Sequence, residues 1–266
     1  MAERARLSLN QVTVRPQCTL RQAVELCVRH GVPWIGPWRG RVAECGVAEA
    51  RRLISDHGLG VSSLCRAGDL TTDSFDDNRR ALDEAAGIGA PCLVMVAGGL
   101  EPASKDLASA HARIAEEFAR LLPHARAAGV TLAIEPLHPM YAADRCCVNT
   151  LRHALDLCDA LGEGVGVTVD VYHLWWEPEL EAQLARAGRR IAAFHVCDWL
   201  VPTRDLLLDR GMMGDGVIDI PKIRGWVEAA GYRGPIEVEI FSAENWWKRP
   251  AEEVFRVMTE RFERCV

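Results

Sequence analysis

Eight short apolar runs, each followed by a longer amphipathic segment, recur along the whole chain and leave few architectures open. The runs cover residues 7–10, 32–35, 60–64, 92–96, 131–134, 165–169, 191–196 and 236–240. They are continuous rather than alternating, the pattern of parallel strands buried on both faces. The intervening segments predict helices over 19–30, 47–57, 74–86, 105–128, 151–161, 178–187, 220–230 and 250–262. Thr19 is placed as an N-cap, Gly31 and Gly58 as stops, and Pro123 as a kink. Alternating strands and helices predict a parallel sheet, and eight such units close into a (β/α)₈ TIM barrel of the α/β class. The length of 266 residues fits one barrel spanning residues 1–266, with no linker or change of composition to divide it. An open doubly wound sheet is the alternative. It lacks support because no glycine-rich phosphate loop follows the first strand.

The balance of charge narrows the partners. A formal net charge of -6, without a basic run, argues against nucleic acid or an anionic membrane as the target. No apolar stretch approaches the roughly 18 residues of a membrane span. The first ten residues lack the apolar core of a signal peptide, so a cytoplasmic protein is expected. The ten cysteines contain no Cys-x-x-Cys pair and read as reduced, mostly buried small residues.

Barrels of this kind do their chemistry where strands run into the following loops. Glu135 ends the fifth strand and Asp170 the sixth, while His195 and Glu239 stand near the ends of the seventh and eighth. Three converging carboxylates would repel each other without a cation. Glu135, Asp170, His195 and Glu239 are therefore read as ligands of one divalent ion. Oxygen and nitrogen donors without thiolate suit Mn²⁺, the first choice, as well as Mg²⁺, Co²⁺ or Zn²⁺. Cys197 is read as packing.

The segments Glu135-Pro, Val-Asp170-Val-Tyr-His173, Phe-His195-Val-Cys-Asp198 and Glu237-Val-Glu239 resemble the xylose isomerase-like barrel superfamily. That group includes ketose 3-epimerases, hydroxypyruvate and inosose isomerases, and endonuclease IV. The resemblance is close over the last four strands and architectural over the first four. It implies that Glu135, Asp170, His195 and Glu239 bind one metal and that Glu135 and Glu239 trade a proton on opposite faces of a substrate. It also implies that His173 and Arg210 contact substrate oxygens near the carbonyl, with Arg210 opening the loop Asp209-Arg-Gly-Met-Met-Gly-Asp-Gly216. Endonuclease IV builds a three-zinc site from additional histidines. Here Gly211 follows Asp209-Arg210, and the third and fourth strands end in Cys65-Arg66 and Ala97-Gly98, so the nuclease reading is rejected.

The loop after the fifth strand carries His138 between Leu137 and Pro139, three residues past Glu135. An imidazole at the mouth makes a general base near neutral pH. The stretch Glu135-Pro-Leu-His-Pro-Met-Tyr-Ala-Ala-Asp-Arg145 resembles the catalytic, metal-binding subunit of bacterial C-glycoside deglycosidases, which act on 3-oxo-glycosides alongside a small β-subunit. Seven of the eight tryptophans (Trp34, Trp38, Trp175, Trp176, Trp199, Trp246 and Trp247) fall at predicted strand ends or loops. They offer flat faces to a sugar or aglycone, with Trp38, Trp176, Trp199 and Asp198 read as substrate-facing, or else an interface in an oligomer. The expected chemistry is removal of a proton beside a sugar ketone. It leads first to elimination of the aglycone from a 3-oxo-glycoside with His138 as base, and alternatively to isomerisation or epimerisation through Glu135 and Glu239. A third reading, from outside enzymology, is a silent scaffold barrel.

Overall fold

The computed structural model describes residues 4–266. Strands β1 (Leu7–Asn10), β2 (Trp34–Gly36), β3 (Gly60–Val61), β4 (Leu64–Gly68), β5 (Cys92–Val96), β6 (Thr131–Ile134), β7 (Val165–Asp170) and β8 (Ile191–Val196) are followed by a short antiparallel pair and a last barrel strand. The pair is β9 (Asp198–Trp199) with β10 (Arg210–Gly211), and the last strand is β11 (Ile236–Val238). The barrel strands are parallel and run in the order β3-β2-β1-β11-β8-β7-β6-β5-β4. Because β3 pairs with β2 and β4 with β5, the third barrel strand is broken between its halves, and together they complete an eight-unit TIM barrel.

The helices are α1 (Leu20–His30), α2 (Arg39–Cys45), α3 (Val47–Asp56), α4 (Phe75–Ile88), α5 (Leu107–Ala128), α6 (Leu151–Leu161), α7 (Val171–Leu174), α8 (Leu180–Ala187), α9 (Ile220–Ala229) and α10 (Ala251–Cys265). Thr19 caps α1 in a reciprocal capping box with Gln22, and Gly31 ends it in the left-handed region. Asp106 caps α5, which shifts its start to Leu107, and the helix continues through Pro123. No helix among the described residues is long and apolar enough to cross a membrane.

Several boundaries differ from those the sequence predicts. The single strand expected over 60–64 is two pieces, because the run turns from one neighbour to the other at its serines. Helix α2 was not expected: only Val42 among its residues is buried, so it has no apolar periodicity to reveal it. It is held instead by Arg39, which bonds both Asp77 (2.7 Å) and Glu84 (2.7 Å) of α4.

Two packing layers follow from the sheet geometry. Leu7, Leu9, Leu93, Leu132 and Val167 join the large apolar layer between sheet and helices. Small Cys92, Ala133 and Ala193 form a separate cluster. Ser8 bonds Ser62 at 2.7 Å with both side chains buried. Polar inward positions continue up the barrel through Asn10, Glu237 and His195. All ten cysteines are unpaired thiols.

Candidate active site

The register of the strands sets the site. Asp170 at the end of β7 is paired with His195 of β8, and His195 is paired with Glu237 of β11. Residues two apart on a strand share a face, so Glu239 stands above Glu237 on the same side. Its N–H continues the ladder by donating to Val196 O at 3.0 Å. Glu135 follows β6 in the same way, donating to Met95 O at 2.9 Å.

Donor atoms from Glu135, Asp170, His195 and Glu239 all lie within 4.8 Å of one another, and all four residues are buried. Nδ1 of His195 faces Glu135 Oε1 at 3.6 Å and Glu239 Oε2 at 3.7 Å. Neither His195 nitrogen nor Glu135 Oε1 has a hydrogen-bond partner. Buried polar atoms are almost always satisfied, so Glu135 Oε1 and His195 Nδ1, unpartnered and facing each other from the end of β6 and from β8, fit a divalent cation. The donor set, oxygen with one imidazole, fits the same ion class.

Arg210 on β10 enters from the side. Its Nη1 donates to Asp170 Oδ2 at 3.0 Å and to Glu239 Oε2 at 3.1 Å. Its guanidinium is sandwiched by Tyr172, 4.2 Å to the ring centroid, and Phe241, 4.8 Å. Burial pushes the Asp170 carboxyl up, against the pull of Arg210. Burial acts in the same sense on Glu239, but the His195 and Arg210 interactions outweigh it and hold that carboxyl below the usual range. Nη2 of Arg210 stands 3.1 Å from His173 Nε2, and the N–H of His138 stands 3.3 Å from His173 Nδ1. A neutral imidazole accepts at one nitrogen only, so His173 satisfies one of these donors at a time. Burial and the Arg210 charge keep His173 neutral, well below the ordinary histidine range.

Glu135, His173, Arg210 and Glu239 face a narrow pocket at the barrel mouth. Trp38, Arg66, Glu135, Tyr141, Arg145, His173, Arg210, Glu239 and Phe241 line it. Trp38, Glu135, His173, Arg210 and Glu239 are therefore brought together as the sequence reading has them. The lining does not include His138, Trp176, Trp199 or Asp198. His138 is half-buried between Trp176 (5.4 Å between centroids) and Trp199 (5.3 Å). Its Nδ1 accepts from Met140 N at 3.3 Å, and burial lowers its pKa.

Asp198 is corrected from a substrate contact to a loop anchor. Its Oδ2 accepts from Gly214 N and Gly216 N, both at 2.9 Å, and its Oδ1 from Trp199 N at 2.9 Å and Ile218 N at 3.0 Å. That leaves no oxygen free to face a ligand. Trp34 is also corrected. It opens β2 and donates to Ala5 O at 3.0 Å, at the opposite end of the barrel from the mouth. Asn10, Arg66, Tyr141, Arg145, Tyr172, Glu237 and Phe241 were missed. Glu237 had a signal, since it shares the inward face of Glu239. The others lie on loops or on segments where polar identity alone points nowhere.

A family model for the xylose isomerase-like TIM barrel matches residues 21–261. The chain belongs to that family. Protein SMc04130 from Sinorhizobium meliloti 1021 has a solved structure that superposes with a TM-score of 0.96, at 57% identity over 98% of each chain. An inosose isomerase of Bacillus velezensis is 25% identical over 98% of this chain and 97% of its own. At the level of fold alone, the barrel also matches the IOLI protein, solved with a bound zinc atom, at 20% identity, 96% coverage of each chain and a TM-score of 0.81. D-allulose 3-epimerase from Methylomonas sp. matches at 20% identity over 99% of this chain and 98% of its own, with a TM-score of 0.78.

Proposed function

We propose that the chain is a divalent-metal-dependent isomerase or epimerase of a polyhydroxylated ketone, a free sugar or cyclic polyol. One observation carries the reading: Glu135 and Glu239 line one cavity, with carboxylate oxygens within 4.8 Å at the cation site. The inosose isomerase relative and the allulose epimerase fold neighbour support the same class. These relatives put isomerisation and epimerisation ahead of elimination from a 3-oxo-glycoside.

Glu135, Asp170, His195 and Glu239 would hold the ion, which when bound polarises a carbonyl and lowers the acidity barrier at the neighbouring carbon. One glutamate takes that proton. For an epimer, the second glutamate, protonated at the outset, delivers its own proton to the opposite face and the first keeps the one it took. For an isomer, the first returns its proton to the adjacent carbon while the hydroxyl proton there passes to the former carbonyl oxygen. Arg210 and neutral His173 orient the substrate oxygens. Trp38 and Phe241, 5.7 Å apart edge to face, wall the apolar face of the ring.

Proton NMR of ketoses and inososes in D₂O with the Mn²⁺-loaded protein tests this. Deuterium beside the carbonyl together with a new isomer is the expected result. Glu135→Gln or Glu239→Gln should cut the rate about 10²–10⁴-fold, and His138→Ala should leave most of it. Release of an aglycone from a 3-oxo-C-glucoside, abolished by His138→Ala, would overturn the reading in favour of elimination.

A further inference from the structure

Below the four candidate ligands the barrel holds a fifth ionisable group that the proposed reaction does not use. Glu237 is 1% exposed. A carboxylate buried so deeply is costly unless something compensates it, and its Oε1 has no partner. Its Oε2 accepts from Asn10 Nδ2 at 3.1 Å and lies 3.6 Å from His195 Nε2.

An imidazole has two nitrogens, and here they face opposite ways. Nδ1 looks up at Glu135 and Glu239, while Nε2 looks down at Glu237. To offer Nδ1 to a cation, His195 must carry its proton on Nε2. A ligating histidine usually donates that second N–H to a carboxylate, which fixes tautomer and ring angle. Glu237 is the carboxylate on that side. It is held in place by its strand pairing to His195 and by Asn10, whose Oδ1 in turn accepts from Trp38 Nε1 at 2.7 Å and Val12 N at 3.2 Å. Asn10 Nδ2 also reaches Glu239 Oε1 at 3.2 Å, so one amide ties the ligand and the lower carboxylate together.

We infer that Glu237 is a positioning residue: Oε2, 3.6 Å from Nε2 of His195 in the metal-free chain, draws the Nε2–H towards itself when Nδ1 points at the ion. Cys65 completes a second grouping with His195 and Glu237, its sulfur 3.4 Å from Asn10 Nδ2. That trio is the competing arrangement, in which the same atoms ligate a softer metal directly.

The inference rests on the reading of the upper quartet as the metal site, and the test separates the two. Metal-stripped wild type, Glu237→Gln and Glu237→Leu are titrated with Mn²⁺, and free ion is followed by electron paramagnetic resonance. The Co²⁺ forms are then examined by absorption. Glu237→Leu should weaken binding on the order of 100-fold and Glu237→Gln on the order of 10-fold. The amide oxygen of Gln still accepts Nε2–H, which gives partial rescue. Should Glu237→Leu fail to fold, the isosteric Glu237→Gln carries the comparison. Equal affinity in all folded variants would overturn the inference while leaving the metal site standing. A thiolate-to-cobalt charge-transfer band would overturn it in favour of the Cys65 trio. Absence of any binding by wild type would bring down the underlying metal reading as well.

Discussion

A side chain at position 36 would share space with Glu237. The Cβ of any residue replacing Gly36 would fall on the Glu237 carboxylate, which β2 admits only because Gly36 has no side chain. Gly36→Ala should therefore cost about 1–3 kcal/mol of stability in the metal-free protein, the usual range for overpacking. The cost should largely vanish in a Glu237→Ala background, where nothing occupies the space, and urea unfolding of the four members of the cycle measures that coupling. Purely additive losses would mean that the glycine serves the backbone instead. Single residues at the mouth were legible in the sequence to an uneven degree. Glu135, Asp170, His195 and Glu239 announce themselves as ionisable groups closing apolar runs. Glu237 sits on the same inward face as Glu239, but alternation fixes the face and not the depth. Asp198 misled because a carboxylate at a strand end looks alike whether it faces a ligand or collects backbone N–H groups.

At the scale of elements, the loop that carries Arg210 depends on that same Asp198. Backbone N–H groups of Gly214, Gly216 and Ile218 converge on its two oxygens from residues 16 to 20 positions away. A bound carboxylate in such a nest replaces turns that the glycine-rich segment would not hold alone. Asp198→Ala leaves these donors without a partner, and about 2–4 kcal/mol of stability should be lost. Hydrogen exchange should show the amides of 214, 216 and 218 opening first. Unchanged protection there would mean that the antiparallel pairing of β9 with β10 holds the loop unaided. The longer helices were readable where a cap or an apolar stripe marks them, as in α1 and α6, while the four-residue α7 was not, although Asp170 caps it. Helix α2 has neither. Its Arg39 is positioned by carboxylates that lie 38 and 45 residues away, and hydrogen bonds from Arg39 hold Asp77 down to about 2. Such long-range ion pairing leaves no local trace in the sequence.

For the whole molecule, the buried acidic cluster makes stability a function of metal. Metal-free protein keeps three carboxylates within 4.8 Å of one another, relieved in part by hydrogen bonds from Arg210 to Asp170 and Glu239 and from Asn10 to Glu239. An ion that binds the folded chain and not the unfolded one stabilises it by mass action, about 2.7 kcal/mol at 100 times its dissociation constant. For a domain of this size each kcal/mol moves the midpoint by roughly 2–4 °C, so a rise of about 5–10 °C is expected. Mn²⁺, Co²⁺ and Zn²⁺ should each produce it, ordered by affinity, and a chelator should reverse it. The same scan on Glu135→Gln distinguishes a metal site from a salt effect. Removing that charge eliminates one ligand and also one source of repulsion. The metal-free variant should thus melt no lower than wild type while its response to metal shrinks. If the variant instead melts well below wild type and still responds fully, Glu135 belongs to the packing of the barrel, and the cation binds somewhere other than the mouth.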